Sequence, residues 1–296
     1  MLSPEQIQAL CDSSRPKLEA MRAALRAHGT ALVAFSGGVD STFVLKIAVE
    51  ELGERALAIT ALSASVAPEE EQEARELAQK IGARHEVVTS NELANPQYAA
   101  NPTNRCYFCK TELYDLCEAR RQQLGYAVVL DGFNADDFKD HRPGHKAAKE
   151  HQVQSPLAQA GLTKDEIRAW SQQLGLPTWD KPQMACLASR IPYGTSVTRE
   201  RLFQIAAAES EMRRLGFRQF RVRYHQEVAR LELASEEYER FFSGDVRERI
   251  NTALKAIGFK FVALDLEPFR SGRMNEAAGV TKPAQPSQGF SLPVVS

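Results

Sequence analysis

The chain has 296 residues, 43% hydrophobic and 25% charged, the composition of a soluble globular protein with about two domains and a sizeable core. Lys+Arg 37 against Asp+Glu 38 leaves a net charge of −1, too little global field to gather nucleic acid. No apolar run is long enough for a membrane span and Met1-Leu2-Ser3-Pro4-Glu5 has no signal-peptide character, so a cytoplasmic protein with a small-molecule partner is expected.

Residues 5–27 read as an amphipathic helix, with Ile7, Leu10, Cys11, Leu18, Met21 and Leu25 at helical spacing and Cys11 as a core residue. An apolar strand, Ala31-Leu32-Val33-Ala34-Phe35, then runs into Ser36-Gly37-Gly38-Val39-Asp40-Ser41 and a helix over 42–52. Adjacent glycines let the backbone turn sharply and approach a ligand, and the following helix presents free N–H groups and a partial positive charge. A phosphate chain is the natural occupant, with Ser36 and Ser41 as hydroxyl donors and Asp40 as a helix cap or magnesium ligand. The stretch lacks the lysine of a Walker A loop and does not follow Gly-x-Gly-x-x-Gly. It resembles the PP-loop, S-G-G-x-D-S, of the ATP pyrophosphatases, which cleave ATP between its α and β phosphates and hold the departing pyrophosphate in this loop.

A second strand follows at 56–61, a helix at 69–82, a third strand at 85–89 and a fourth at 128–131. Strands alternating with helices predict an α/β fold, a parallel sheet with helices on both faces, whose ligands bind beyond the carboxyl ends of the strands. The PP-loop resemblance implies that the end of the second strand, Thr60 and Ala61, contacts the adenine.

Asn104-Arg105-Cys106-Tyr107-Phe108-Cys109-Lys110 opens the next helix, and its Cys-x-x-Cys suits zinc, an iron–sulfur group or thiol exchange equally. Cys117, on the apolar stripe of that helix, reads as core. Carboxylates gather in Asp131-Gly132-Phe133-Asn134-Ala135-Asp136-Asp137 and at Asp140, either as magnesium ligands or as Asx turns. His141 and His145 are separated by Pro143-Gly144, which argues against a helical metal pair. Thr163-Lys164-Asp165-Glu166 is a capping box, and Leu176-Pro177-Thr178-Trp179-Asp180-Lys181-Pro182 a stiff connector at a candidate domain boundary. Just beyond it stands Cys186, flanked by Arg190 and Lys181, cations that would favour its thiolate. The bland alternative is an apolar cysteine with a chance arginine nearby.

After residue 195 the pattern changes. A helix over 199–216 carries Glu209 on its apolar stripe, where it is either an edge residue or a functional carboxylate. Phe220, Val222 and Tyr224 alternate with Arg221 and Arg223, and Ala229, Leu231 and Leu233 with Arg230 and Glu232. Period two in both segments predicts a hairpin with one apolar face and one arginine-rich face suited to an anion. A helix over 246–257 and a strand over 259–266 complete a smaller α+β unit, and the Pro-, Ser- and Gln-rich tail is expected to be disordered or an oligomer arm.

Taken together these segments resemble one family of PP-loop enzymes, the LarE family of ATP-dependent sulfur transferases in nickel-pincer cofactor biosynthesis. Its marks here are the 36–41 loop, Cys106 and Cys109, Asp131-Gly132-x-Asn134-x-Asp136-Asp137, Arg142-Pro143-Gly144, Ser155-Pro156-Leu157, the segment 185–194 and Leu264-Asp265-Leu266. The resemblance implies a PP-loop domain over 1–182, a substrate and sulfur-transfer domain over 183–275, and a tail over 276–296. It also implies adenylation of a carboxylate of pyridinium-3,5-biscarboxylic acid mononucleotide and its conversion to a thiocarboxylate. Adenylation gives a poor electrophile a good leaving group, after which sulfur attacks. Members with one cysteine, matching Cys186, give up that cysteine's own sulfur. Cys-x-x-Cys marks the other type, in which Cys106, Cys109 and Cys186 would hold a four-iron–four-sulfur cluster with one iron open for a transferable sulfide. ATP, magnesium and the cluster are thus the expected cofactors. The expected nucleotide residues are Ser36, Gly37, Gly38, Asp40, Ser41, Thr60, Asp131 and Asp136. Arg221, Arg223 and Arg230 are candidates for the substrate's phosphate or free carboxylate, with Glu209 and Glu232 near the reacting end. A homo-oligomer is expected. The alternatives are a tRNA thiolase of the PP-loop class, disfavoured by the net charge, and a nucleotide sensor, which leaves three cysteines unexplained.

Overall fold

The computed structural model describes residues 3–139, 143–182, 185–270 and 272–280. Asp140, His141, Arg142 and the tail beyond residue 280 lie outside the described residues. The first unit runs α1 (Pro4–His28), β1 (Ala31–Ala34), α2 (Val39–Leu52), β2 (Ala56–Leu62), α3 (Pro68–Ile81), β3 (Arg84–Thr89), α4 (Pro96–Ala99) and α5 (Arg105–Leu124). It continues through β4 (Val128–Leu130), α6 (Gly144–Glu150), α7 (Pro156–Gln159) and α8 (Lys164–Gln173). The second comprises α9 (Arg199–Arg214), β5 (Phe220–His225), β6 (Val228–Leu233), α10 (Tyr238–Phe242), α11 (Val246–Ala256), β7 (Phe261–Leu264) and α12 (Arg273–Ala277).

The first sheet is parallel in the order β3-β2-β1-β4, as the strand–helix alternation predicts. Its central strand β1 is buried along its whole length because helices cover both faces. Leu18, Met21, Phe43, Ile47 and Trp170 fill one side, and Tyr114, Cys117 and Ala147 the other. Each such large apolar side chain contributes roughly 1.5–3 kcal/mol through burial. Cys11 and Cys117 are both buried in these layers, as expected of core cysteines. The capping box at the start of α8 forms as read, with Thr163 Oγ1 accepting from Glu166 N and Glu166 returning a carboxylate oxygen to Thr163 N.

The hairpin β5–β6 is antiparallel, and β7 adds to β6 in parallel, giving the order β5-β6-β7. Its apolar face, Val222, Ala229, Leu231 and Leu233, packs on α9 and α11 through Ala208, Met212, Ile250 and Leu254. Strand β7 is shorter than the strand expected over 259–266: Lys260 and Phe261 both donate to Glu227 O at its start, and Asp265 N donates to Leu231 O just past its end. Pro143 stands at the N-cap of α6 and Gly144 is its first residue, so the helix begins at the expected break; proline is tolerated at a helix start, where its missing N–H has no partner to lose. Among the described residues no helix is long and apolar enough to cross a membrane.

The units are stitched together around residues 98–105 and 185–197. Gly194 N donates to Asn101 O, Val197 N to Ala99 O and Leu187 N to Ser65 O. Tyr98, Leu187, Ala188, Ile191, Val197, Leu202 and Ile205 bury a common apolar cluster there. The segment just after the connector therefore packs against loops of the first unit as well as against α9.

Candidate active site

At the carboxyl end of β1 the chain turns through Gly37, whose φ of 68° favours glycine, and enters α2 with no side chain capping the helix. The α2 N-terminus therefore faces a cavity of about 410 Å³ lined by Ser36, Gly38, Asp40, Ser41, Thr60 and Asp131, among others. Ser36 Oγ and Ser41 Oγ lie 3.1 Å apart, and Ser36 N donates to Ser41 Oγ at 3.3 Å. The Asp40 carboxylate accepts from Lys164 Nζ at 2.5 Å and Asn134 Nδ2 at 3.3 Å. From the far side Gly132 closes on the loop so tightly that a Cβ would stand 2.9 Å from Ser41 N. Thr60 gives its hydroxyl proton to Phe35 O, so His85 Nε2, 2.8 Å away, must donate to Thr60. Burial lowers the pKa of that histidine, in keeping with a neutral ring.

The carboxylates of the loop after β4 divide between the cavity and the turn. Asp131 is buried on the cavity wall, accepts from Tyr114 OH and Phe133 N, and burial raises its pKa. Asp137 also borders the cavity, while its Oδ2 accepts from Asn134 N. Asp136 accepts Lys164 N at 2.9 Å, and the N–H groups of Asp136 and Asp137 both turn back to Asn134 Oδ1. Asx turns thus shape this loop, with Asp131 and Asp137 left bordering the nucleotide-sized space.

A second cavity, about 670 Å³, opens beside the first and is lined by Arg105, Cys106, Cys186, Tyr193, Arg221 and Arg223, among others. Cys106 borders the second cavity, Cys109 the first, and Cys186 both. Tertiary contacts hold the Cys186 segment in place. Arg190 donates to Ala185 O at 2.5 Å and Cys186 O at 3.1 Å, and Asn101 Nδ2 binds the carbonyls of Ile191, Pro192 and Thr195. Arg105 reaches Ala188 O at 3.0 Å and brings Nη2 to 4.0 Å from Cys186 Sγ. Among the described residues the cation that reaches this sulfur is therefore Arg105, whereas the expected Arg190 bonds the backbone oxygens of Ala185 and Cys186. Lys181 instead bonds Gly37 O and Glu73 behind the phosphate loop. Burial first, then the charge of Glu92, push the Cys109 thiol well above its ordinary range.

A single zinc ion needs its thiolates about 2.3 Å away in a tetrahedron, and among the described residues no three Cys, His, Asp or Glu side chains gather to hold one ion. Three cysteine sulfurs around adjoining cavities are the donor set that a cluster would take, one thiolate to each of three irons.

The hairpin face turns out to be a charge network. Arg221 stands opposite Glu232, and Arg223 opposite Arg230. Arg223 forks onto Glu232 Oε2 at 2.9 and 2.7 Å and also donates to Ser189 O. Glu232, fully buried, takes Arg230 on its other oxygen at 3.0 Å, and Arg230 continues to Asp265. Glu209, 1% exposed, accepts both Nε and Nη2 of Arg190 at 2.8 and 2.9 Å, plus Val222 N. Both glutamates expected near the reacting end thus have their carboxylates turned onto arginines. Arg221 and Arg223 line the second cavity, whereas Arg230 lies outside the lining. Arg221 lies 4.7 Å over the Phe269 ring, and burial, with Arg190 and Arg223 nearby, lowers its pKa to about 10. The sequence analysis gave Asn101, Arg105, Asn134 and Lys164 no part in the site, for the Pro192 carbonyl, Ala188 O and Asp40 that they meet lie far along the chain.

Glu209→Ala should cost roughly 3–5 kcal/mol, because it strands the buried Arg190 guanidinium without its carboxylate. Denaturant unfolding of the purified variant measures this, and stability within 1 kcal/mol of the parent would mean that Arg190 finds another acceptor.

The asparagine synthase family pattern matches residues 18–240, well over half of the chain. A protein of Synechocystis sp. with no characterised function is 49% identical over 259 residues, 88% of this chain and 97% of its own. The pyridinium-3,5-bisthiocarboxylic acid mononucleotide synthase of Lactiplantibacillus plantarum is 39% identical over 255 residues, 86% of this chain and 92% of the relative. An uncharacterized protein of Methanocaldococcus jannaschii is 28% identical over 240 residues, 81% and 90% of the two chains. The family pattern spans the phosphate loop, the three cysteines and the hairpin. The chain belongs to the LarE family of PP-loop ATP pyrophosphatases, and it is an ATP-dependent sulfurtransferase.

Proposed function

We propose that this enzyme joins a carboxylate of pyridinium-3,5-biscarboxylic acid mononucleotide to AMP and then replaces the activated oxygen with sulfur, forming a thiocarboxylate. The carrying observation is that Cys186 borders both cavities, so the nucleotide space and the arginine-lined space meet at a sulfur. In the first step a substrate carboxylate oxygen attacks the α-phosphorus and pyrophosphate leaves; in the second, sulfur attacks the acyl carbon and AMP leaves. The open N–H groups of α2, with Ser36 and Ser41, stabilise the departing pyrophosphate. Asp40 and Asp131 are the carboxylates that would hold the magnesium of ATP, and Lys164, already on Asp40, brings a cation to the same phosphates. Arg221 and Arg223 hold the substrate's phosphate or its second carboxylate, while Glu209, Glu232 and Arg230 keep the surrounding arginines in place. Cys106, Cys109 and Cys186 would hold a four-iron–four-sulfur cluster, which when bound supplies a transferable sulfide. A second reading, sulfur given up by Cys186 itself, is favoured by its place as the cysteine common to both cavities.

Pyrophosphate release should require ATP and the pyridinium mononucleotide together, and tRNA should not replace the mononucleotide. Release with tRNA, or with ATP alone at the same rate, would defeat the substrate assignment. Arg221→Ala should raise the mononucleotide's KM about tenfold, the loss expected for one charge-assisted hydrogen bond, with little change in the KM for ATP. Arg223→Ala should do the same and also lower stability, because Glu232 loses its forked partner. Unchanged substrate affinity in the double variant would assign this face another purpose, such as a subunit contact.

A further inference from the structure

Glu92 belongs to no motif of the phosphate loop or the cysteines, yet it is 3% exposed and sits in the single turn of 3-10 helix between β3 and α4. Its Oε1 accepts Ser63 Oγ at 2.7 Å, Tyr98 OH at 3.0 Å and Ser65 Oγ. Hydroxyls thus solvate this carboxylate. Among the described residues, the salt bridges include no lysine, arginine or histidine against it. Burying a carboxylate without a cation is costly, so its surroundings bear on its purpose.

Two of the three cysteines are tied to it. Cys109 lines the same cavity as Glu92 and packs on the apolar cluster that holds Tyr98. The turn held by Ser63 and Ser65 accepts Leu187 N on Ser65 O at 2.9 Å, one residue past Cys186. Tyr98, the third hydroxyl donor, packs in the same apolar cluster as Leu187 and Ala188.

On the reading of Cys109 and Cys186 as cluster ligands, we infer that Glu92 is the positioning residue of the sulfur site. It fixes the cavity wall that Cys109 shares and, through Ser65, the Cys186 segment, and it would set a negative charge beside the iron–sulfur group those cysteines would hold. Net charge and hydrogen bonds to the sulfurs set the reduction potential of such a group, and a neighbouring carboxylate lowers it.

The test is anaerobic reconstitution with iron and sulfide, followed by redox titration, of the parent protein, Glu92→Gln and Glu92→Ala. Glutamine keeps an oxygen for the hydroxyls but removes the charge. E92Q should load iron as the parent does, with its reduction potential shifted to a more positive value. E92A, which takes the shared acceptor from Ser63, Ser65 and Tyr98 and loosens the wall beside Cys109, should load less than half as much iron. A parent that takes up no iron defeats the cluster reading and not the placement of Glu92. A parent that loads, beside an E92Q whose potential is unmoved, overturns the inference whatever E92A does, including a failure of E92A to fold.

Discussion

Asp40→Ala is expected to abolish pyrophosphate release, at least about a hundredfold, the scale on which removing one preorganised transition-state contact acts. The variant frees Lys164 from its 2.5 Å contact and leaves Asn134 Nδ2 without its acceptor, and on the proposed function it also removes an oxygen ligand for the magnesium of ATP. Ser41→Ala should fall nearly as far, because its hydroxyl fixes the loop to Ser36 through the backbone N–H and the side-chain oxygen. The hydrogen bonds of both side chains go to Ser36, Gly38, Asn134 and Lys164 and to no cysteine, so iron uptake should match the parent in both variants. A coupled pyrophosphate assay beside iron analysis measures the two effects separately. Normal turnover in both variants would remove the phosphate loop from the mechanism.

Replacing Cys186 by alanine should eliminate thiocarboxylate formation while pyrophosphate release persists, since the phosphate loop uses no thiolate. The comparison with Cys106→Ala and Cys109→Ala then separates the two sulfur sources. If the three cysteines share a cluster, each replacement alone removes both the iron–sulfur absorption and sulfur transfer. If Cys186 donates its own sulfur, only its replacement stops transfer, and turnover leaves the parent lighter by one hydrogen sulfide, about 34 Da. The shared-cluster outcome is expected, because Cys106 and Cys109 flank Cys186 on its two cavities and have no task in self-donation. Iron-free protein after anaerobic reconstitution, with that mass loss mapped to Cys186, would reverse the expectation.

The backbone of the phosphate loop could be read from the sequence because its conformation is local, whereas Asp136, expected at the nucleotide, accepts Lys164 N and Asp137 borders the cavity instead. A strand, a Gly-Gly turn and a helix N-terminus follow one another within a few positions, and backbone conformation there depends on neighbours in sequence. The same holds for the capping box at Thr163 and for the hairpin, whose period-two alternation puts Arg221, Arg223, Arg230 and Glu232 on one face. What those charged groups bind is another matter. Alternation gives a face, but only the closed fold turns Arg223 and Arg230 onto Glu232, leaves Arg221 and Arg223 on a cavity and locks Glu209 to Arg190. The sulfur site shows the limit most clearly. Sequence neighbours nominated Arg190 and Lys181 as the cations at Cys186, whereas Arg105, 81 positions away, reaches the sulfur. Asn101 and Glu92 carry no local signature, because an Asn gripping three carbonyls or a Glu collecting three hydroxyls resembles any polar loop residue until its partners arrive. Backbone preference acts between neighbours, so the loops and elements were written in the chain. Charge pairing and thiol environment act across space between distant segments, and packing of the two units decided them.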